Sequence, residues 1–76
     1  MQAVTISLTQ VHQVQQFVNL VSKYPFDADI VSGRYTVNAK SLLGIYSLDL
    51  NKPLQVLIDS DDCEELKMEL KKFMFP

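Results

Sequence analysis

The sequence predicts an α+β fold, an open-faced sandwich in which helices cover one face of a small sheet and water the other. Two observations predict it. The hydrophobic period switches repeatedly between 2 and 3.6 along 76 residues, in the order β-α-β-β-α-β-α. Four strands with helices inserted between them are best met by an antiparallel or mixed sheet covered on one side. The second observation is composition. With 47% hydrophobic residues, two glycines and one cysteine, residues 1–76 form one domain held by packing alone.

Val4, Ile6 and Leu8 alternate with Thr5, Ser7 and Thr9, the period of a half-buried strand. From Gln10 the period changes: Val11, Val14, Val18 and Val21, widened by Phe17 and Leu20, make one stripe of a helix over 10–23. Gln13, Gln15, Gln16 and Asn19 face away from it. Tyr24-Pro25 closes the helix, because proline disfavours the α region in the residue before it. Residues 28–31 and 34–39 read as a hairpin turning at Ser32-Gly33, with Tyr35, Val37 and Ala39 on one face. Ser41 is the N-cap of a short helix over 42–48. Asn51-Lys52-Pro53 turns the chain into a last strand marked by Leu54, Val56 and Ile58. Asp61 or Asp62 opens the final helix, Asp61 and Glu64 having capping-box spacing, and Cys63, Leu66, Leu70, Phe73 and Met74 form its core stripe.

Composition excludes several function classes. Seven Lys+Arg against nine Asp+Glu leave a net charge of −2. The cations are scattered except for Lys71-Lys72, so the cluster that phosphate-backbone binding requires is missing. A base-stacking RNA sheet built on Tyr35 lacks a second platform aromatic. No apolar run approaches the ~20 residues of a membrane span. One thiol and no signal peptide fit a reducing cytoplasm. Cys63 and His12 fall short of a structural zinc site, and the acidic run at 61–65 lacks a calcium-loop pattern, so no metal or cofactor is expected.

Candidates for chemistry are few. His12 lies opposite Val14 on the helical wheel and reads as a solvated side chain, with an acid/base or phosphoryl-accepting role as the functional alternative. Cys63 on an apolar stripe among acids is a structural thiol. There is no Ser/His/Asp set, P-loop or Rossmann glycine pattern, so the chain does not read as an enzyme. Ser41 differs. A phosphate at a helix N-cap meets backbone N–H donors and adds about −1.5 to −2 charge. Leu42, Leu43, Ile45, Tyr46 and Leu48 cannot all point inward from two helical turns, so some lie exposed beside it as an apolar docking patch.

The segment Val37-Asn38-Ala39-Lys40-Ser41-Leu42-Leu43-Gly44-Ile45-Tyr46-Ser47-Leu48 resembles the regulatory-serine region of HPr, the phosphocarrier of the bacterial sugar phosphotransferase system, V-N-A-K-S-I-M-G-(L/V/I)-M-S-L. Phe17 to Tyr24 is similar to the first helix of that family, F-V-Q-L-A-S-K-F, and the element order agrees throughout. The resemblance implies a four-stranded antiparallel sheet with three helices on one face. Counted back from Phe17 without gaps, the G-(L/I)-H-A-R-P motif puts Gln10 at the phosphoryl-accepting histidine, Val11 at the alanine, His12 at the arginine and Gln13 at the proline. An amide cannot pass on a phosphoryl group as imidazole does, and the glycine before the histidine is missing too.

Glutamine at that position resembles Crh, the branch of the family that keeps only the regulatory serine. The resemblance then implies phosphorylation of Ser41 by HPr kinase/phosphorylase, with Lys40, Leu42, Leu43 and Tyr46 as the surface read by a CcpA-like transcription regulator in carbon catabolite repression. Crh retains A-R-P after its glutamine and this chain does not, so it is a more divergent relative. Two alternatives stand beside this reading. One is a residual phosphocarrier using His12. The other is a phosphorylation-independent interaction module, in one form a homodimer, in which Ser41 is only a cap.

Overall fold

The computed structural model describes residues 2–74. Its elements are β1 (Gln2–Ile6), α1 (Val11–Val21), β2 (Ala28–Ser32), β3 (Tyr35–Asn38), α2 (Leu42–Tyr46), β4 (Leu54–Ile58) and α3 (Glu64–Leu70), with a 3-10 turn over Lys71–Phe73. The strand order β1-β4-β2-β3 is antiparallel at every pairing, which resolves the choice between antiparallel and mixed sheets. β1 and β2 flank β4 and run parallel to each other, so α1 is the crossover that joins them.

Register decides the two faces. Val4 pairs with Val56, which pairs with Ile30, and Ile6 pairs with Leu54. This row is buried under the helices together with Val14, Phe17, Ile45, Leu66 and Leu70. The alternate residues Ala3, Thr5, Gln55 and Asp29 are exposed, while Val31 and Leu57 are half-buried. One face is therefore open to solvent, as the period-2 pattern requires. Phe17 of α1 and Phe73 meet edge to face with centroids 5.9 Å apart, which ties the first helix to the C-terminal turn.

The hairpin turns on Gly33 and Arg34, one residue later than the sequence indicates, since Ser32 and Tyr35 are already paired. Gly33 has φ +59° and Arg34 has negative φ, the pattern of a type II′ turn. α1 is shorter than 10–23, and its stripe is Val14, Phe17, Leu20 and Val21. Val11, in the first turn of α1, is 63% exposed although the sequence places it on the Val14–Val21 stripe.

The last helix also differs. It begins at Glu64 with Cys63 as N-cap, and the Cys63 side chain makes no capping hydrogen bond. Burial of Cys63 and Leu66 sets that start, and Ser60 to Asp62 form a turn before it, Asp62 N donating to Ser60 Oγ at 3.1 Å. The Asp61–Glu64 capping box is therefore not the start signal. The helix also stops before Phe73. A 3-10 turn follows, and Met74 then bridges to Ile6 at the edge of the sheet.

Candidate functional site

Ser41 is the N-cap of α2, as the sequence indicates. Its backbone is extended (φ −101°, ψ 105°), and its Oγ accepts a 3.2 Å hydrogen bond from Gly44 N. The approach is fixed by Asn38. Its Oδ1 accepts from Lys40 N at 2.8 Å and its carbonyl from Ser41 N at 3.0 Å, so the end of β3 turns directly into the cap. Ile45 N donates to Ser41 O at 3.1 Å as the first helical bond. Gly44 has a steric reason as well. A Cβ there would lie 3.1 Å from Ser41 Oγ and 3.3 Å from Val37 Cβ.

The five apolar residues of this segment divide as two helical turns require. Ile45 and Leu48 are buried, and Leu42 is half-buried against the core. Leu43 is 82% exposed and Tyr46 37% exposed. Leu43 and Tyr46, three residues apart, share one outer face beside the serine. A phosphoryl group on Ser41 would meet the amino end of α2 on one side and this apolar face on the other.

Lys40 does not point along that surface. Its Nζ donates to the carbonyl of Tyr24 at 2.8 Å, at the end of the turn that closes α1. Tyr24 in turn donates its hydroxyl to Glu69 Oε2 at 2.7 Å and stacks on Phe26 with centroids 5.4 Å apart. The bond to Glu69, with desolvation and the charges of Glu65 and Glu69, pushes the Tyr24 phenol from 10.0 up to about 12. Contacts of this kind join residues 16 and 45 positions apart, so no local sequence pattern announces them.

At the other candidate site, Gln10 is the N-cap of α1 with φ −129° and ψ 152°. Gln10 and His12 are both exposed, His12 as the helical wheel predicts. Gln13, expected to face away, instead reaches back over the first turn. Its Oε1 accepts from Thr9 N at 2.8 Å, Thr9 Oγ1 at 3.2 Å and Gln10 N at 3.1 Å. The glutamine at the third helical position thus fastens the loop that precedes the helix. No acidic residue lies in the first turn of α1. α1 and α2 pack against each other, but no hydrogen bond joins Gln10 or His12 to Ser41 among the described residues.

Cys63 is buried, with its thiol directed at Ser60 O at 3.7 Å. Among the described residues no group of three His, Cys, Asp or Glu could hold a metal ion, and no helix is long and apolar enough to cross a membrane.

A small open antiparallel sheet under three helices, with one helix capped by a serine beside an apolar face, defines an α+β open-faced sandwich. Residues 9–74 match the family model described as the PTS HPr component phosphorylation site, and the chain belongs to this PTS-HPr family. The family is that of HPr, a phosphocarrier protein of the phosphotransferase system and not an enzyme. Among solved structures it is similar to the phosphocarrier protein HPr from Bacillus anthracis str. Ames (28% identity, TM-score 0.77), with 97% of this chain and 94% of that one covered. It is also similar to HPr-C-His from Thermoanaerobacter tengcongensis (27% identity, TM-score 0.77; 95% and 92% covered). A histidine-containing phosphocarrier protein from Mycoplasma shares the fold at 13% identity (TM-score 0.75; 93% and 89% covered). Comparison with curated proteins gives no match.

Proposed function

We propose that this HPr-family protein does not carry a phosphoryl group on histidine and acts instead as a regulatory protein switched by phosphorylation of Ser41. The observation that carries the reading is the pairing of a capping serine with the exposed Leu43 and Tyr46 on α2. It is supported by the chemistry of the first helix, where Gln10 stands at the N-cap and no imidazole occupies that position. An amide has no lone pair basic enough to take a phosphoryl group and release it again. His12, two residues on, is the imidazole that a residual carrier would have to use.

By family resemblance the modifying enzyme is HPr kinase/phosphorylase, and the reader of the modified surface is a CcpA-like transcription regulator. The added charge at the amino end of α2 and the apolar face beside it would then be recognised together. Neither half suffices alone in this mechanism. The phosphate supplies the switch, and Leu43 and Tyr46 supply desolvated contact area.

The test is a pair of labelling reactions on the full chain. With HPr kinase/phosphorylase and ATP, one acid-stable phosphate is expected, absent in Ser41→Ala. With phosphoenolpyruvate and enzyme I, no acid-labile phosphate is expected. An unmodified chain in the first reaction overturns the switch. Labelling in the second that His12→Ala abolishes establishes a residual carrier instead. Partner binding that is equal for unmodified protein, phosphoprotein and Ser41→Asp reduces the chain to a constitutive interaction module.

A further inference from the structure

We propose that the open cleft between the β2–β3 turn and the connection from α2 to β4 binds a ribonucleoside monophosphate. The cleft holds about 340 Å³, at the small end of the range of small-ligand sites. Two segments distant in sequence build it, Ser32 to Tyr35 and Ser47 to Lys52. Leu48, buried in the core, supplies an apolar wall. The cleft lies at the carboxyl end of α2, away from the Ser41 cap.

Charge gives the first part of the ligand. Arg34 and Lys52 both line the cleft of a protein whose net charge is −2. Arg34 makes no ion pair among the described residues. Lys52 meets Asp49 at 3.9 Å with both side chains well exposed, an arrangement that holds the ammonium weakly. A free planar guanidinium and a loosely held ammonium suit a phosphate.

The remaining groups narrow it. Tyr35 is 69% exposed on an edge strand and stacks on no aromatic ring of the described residues, so its ring face is free for a base. The Ser47 hydroxyl already donates to Gly44 O at 2.5 Å, so it offers the cleft an acceptor. The Asp49 carboxylate is likewise acceptor-only when ionised. Its Oδ1 already accepts from Asn51 N at 3.1 Å and its Oδ2 faces Lys52, but each oxygen keeps a second lone pair. Acceptors beside two cations and a ring call for a ligand that combines a phosphate, a planar base and hydroxyl donors. A ribonucleoside monophosphate has all three.

The test is a titration of the 15N-labelled full chain at constant ionic strength with adenosine monophosphate, adenosine, ribose 5-phosphate and inorganic phosphate. Adenosine monophosphate is expected to give saturable shifts at the amides of Gly33, Tyr35, Ser47 and Asp49. Arg34→Ala and Tyr35→Ala are each expected to weaken binding at least about fivefold. Unchanged dispersion of the other amides shows that the variants fold. The absence of a saturable shift at ~10 mM, where a Kd of ~1 mM would give about 90% occupancy, overturns the proposal. Inorganic phosphate or ribose 5-phosphate binding as tightly as the nucleotide also overturns it, as does unchanged binding by Arg34→Ala.

Discussion

The Lys40 ammonium is fastened to the main-chain carbonyl of Tyr24 at 2.8 Å. The residue that precedes the Ser41 cap is thereby tied to the turn at the end of α1. Tyr24 extends the link to α3 through its hydroxyl bond to Glu69. One tyrosine thus joins the approach to α2, the exit of α1 and the flank of α3. The bond leaves the Lys40 charge engaged within the fold, so a partner of the kind proposed would meet chiefly the Ser41 hydroxyl and the apolar face.

Breaking the first of these bonds should be measurable. Lys40→Met keeps the aliphatic stem and removes the donor to a part-buried carbonyl. Hydrogen bonds to charged groups contribute about 1.5–3 kcal/mol, and some of that is recovered by water, so a loss of about 1–2 kcal/mol is expected in urea unfolding. Stability equal to wild type would show that the bond contributes nothing.

The bond to Glu69 has a signature in pH. The Tyr24 phenol is raised from 10.0 to about 12, so the folded chain holds this proton more tightly than the unfolded chain does. The stabilisation is complete below pH ~10 and is lost as pH rises towards ~12. The tyrosinate absorbance difference between wild type and Tyr24→Phe should therefore titrate late, and Glu69→Gln should move it back towards 10. A Tyr24→Phe variant that loses stability with rising pH just as wild type does would refute the linkage.

Removing the cap tests the α2 start. Ser41→Ala should cost about 1 kcal/mol, which lowers Tm by about 4–8 °C in a domain of this size. Ser41→Asp keeps an acceptor at the N-cap and should recover most of the loss. Equal destabilisation by both would mean that the Ser41 Oγ–Gly44 N bond is not what holds the helix.

Gly44→Ala sets two effects against each other. Alanine is the better helix former by about 1 kcal/mol. Its Cβ would crowd Ser41 Oγ at 3.1 Å and Val37 Cβ at 3.3 Å, and Val37 is held in the sheet. The crowding is expected to win, with a net loss of up to about 1 kcal/mol and slower phosphorylation of Ser41. A gain in stability would show that α2 can shift outward freely.

Leu43→Ser separates docking from folding. Leu43 is 82% exposed, so its replacement should change stability by no more than about 0.5 kcal/mol. Binding of the Ser41-phosphorylated chain to its reader should nonetheless weaken about tenfold or more, the effect of truncating an anchoring contact. Undiminished binding would remove Leu43 from the docking surface.

The sequence by itself determined the element order, the buried stripe of α1 from Val14 onward, the Ser41 cap, the exposure of His12 and the need for some of the five apolar residues around α2 to lie outside. Each follows from a local period or from a single residue's hydrogen-bonding chemistry. The structure chose Leu43 and Tyr46 as those outer residues. Tertiary structure decided what depends on which elements meet. Val11 is exposed while Val14, three residues on in the same stripe, is fully buried, a difference that periodicity alone cannot reveal. Cys63, and not Asp61, starts α3 because burying Cys63 and Leu66 outweighs a solvent-exposed capping box. The strand order β1-β4-β2-β3 and the engagement of Lys40 and Tyr24 are likewise long-range. Residues far apart in the chain meet only when the core closes, and the core closes on packing rather than on any local signal.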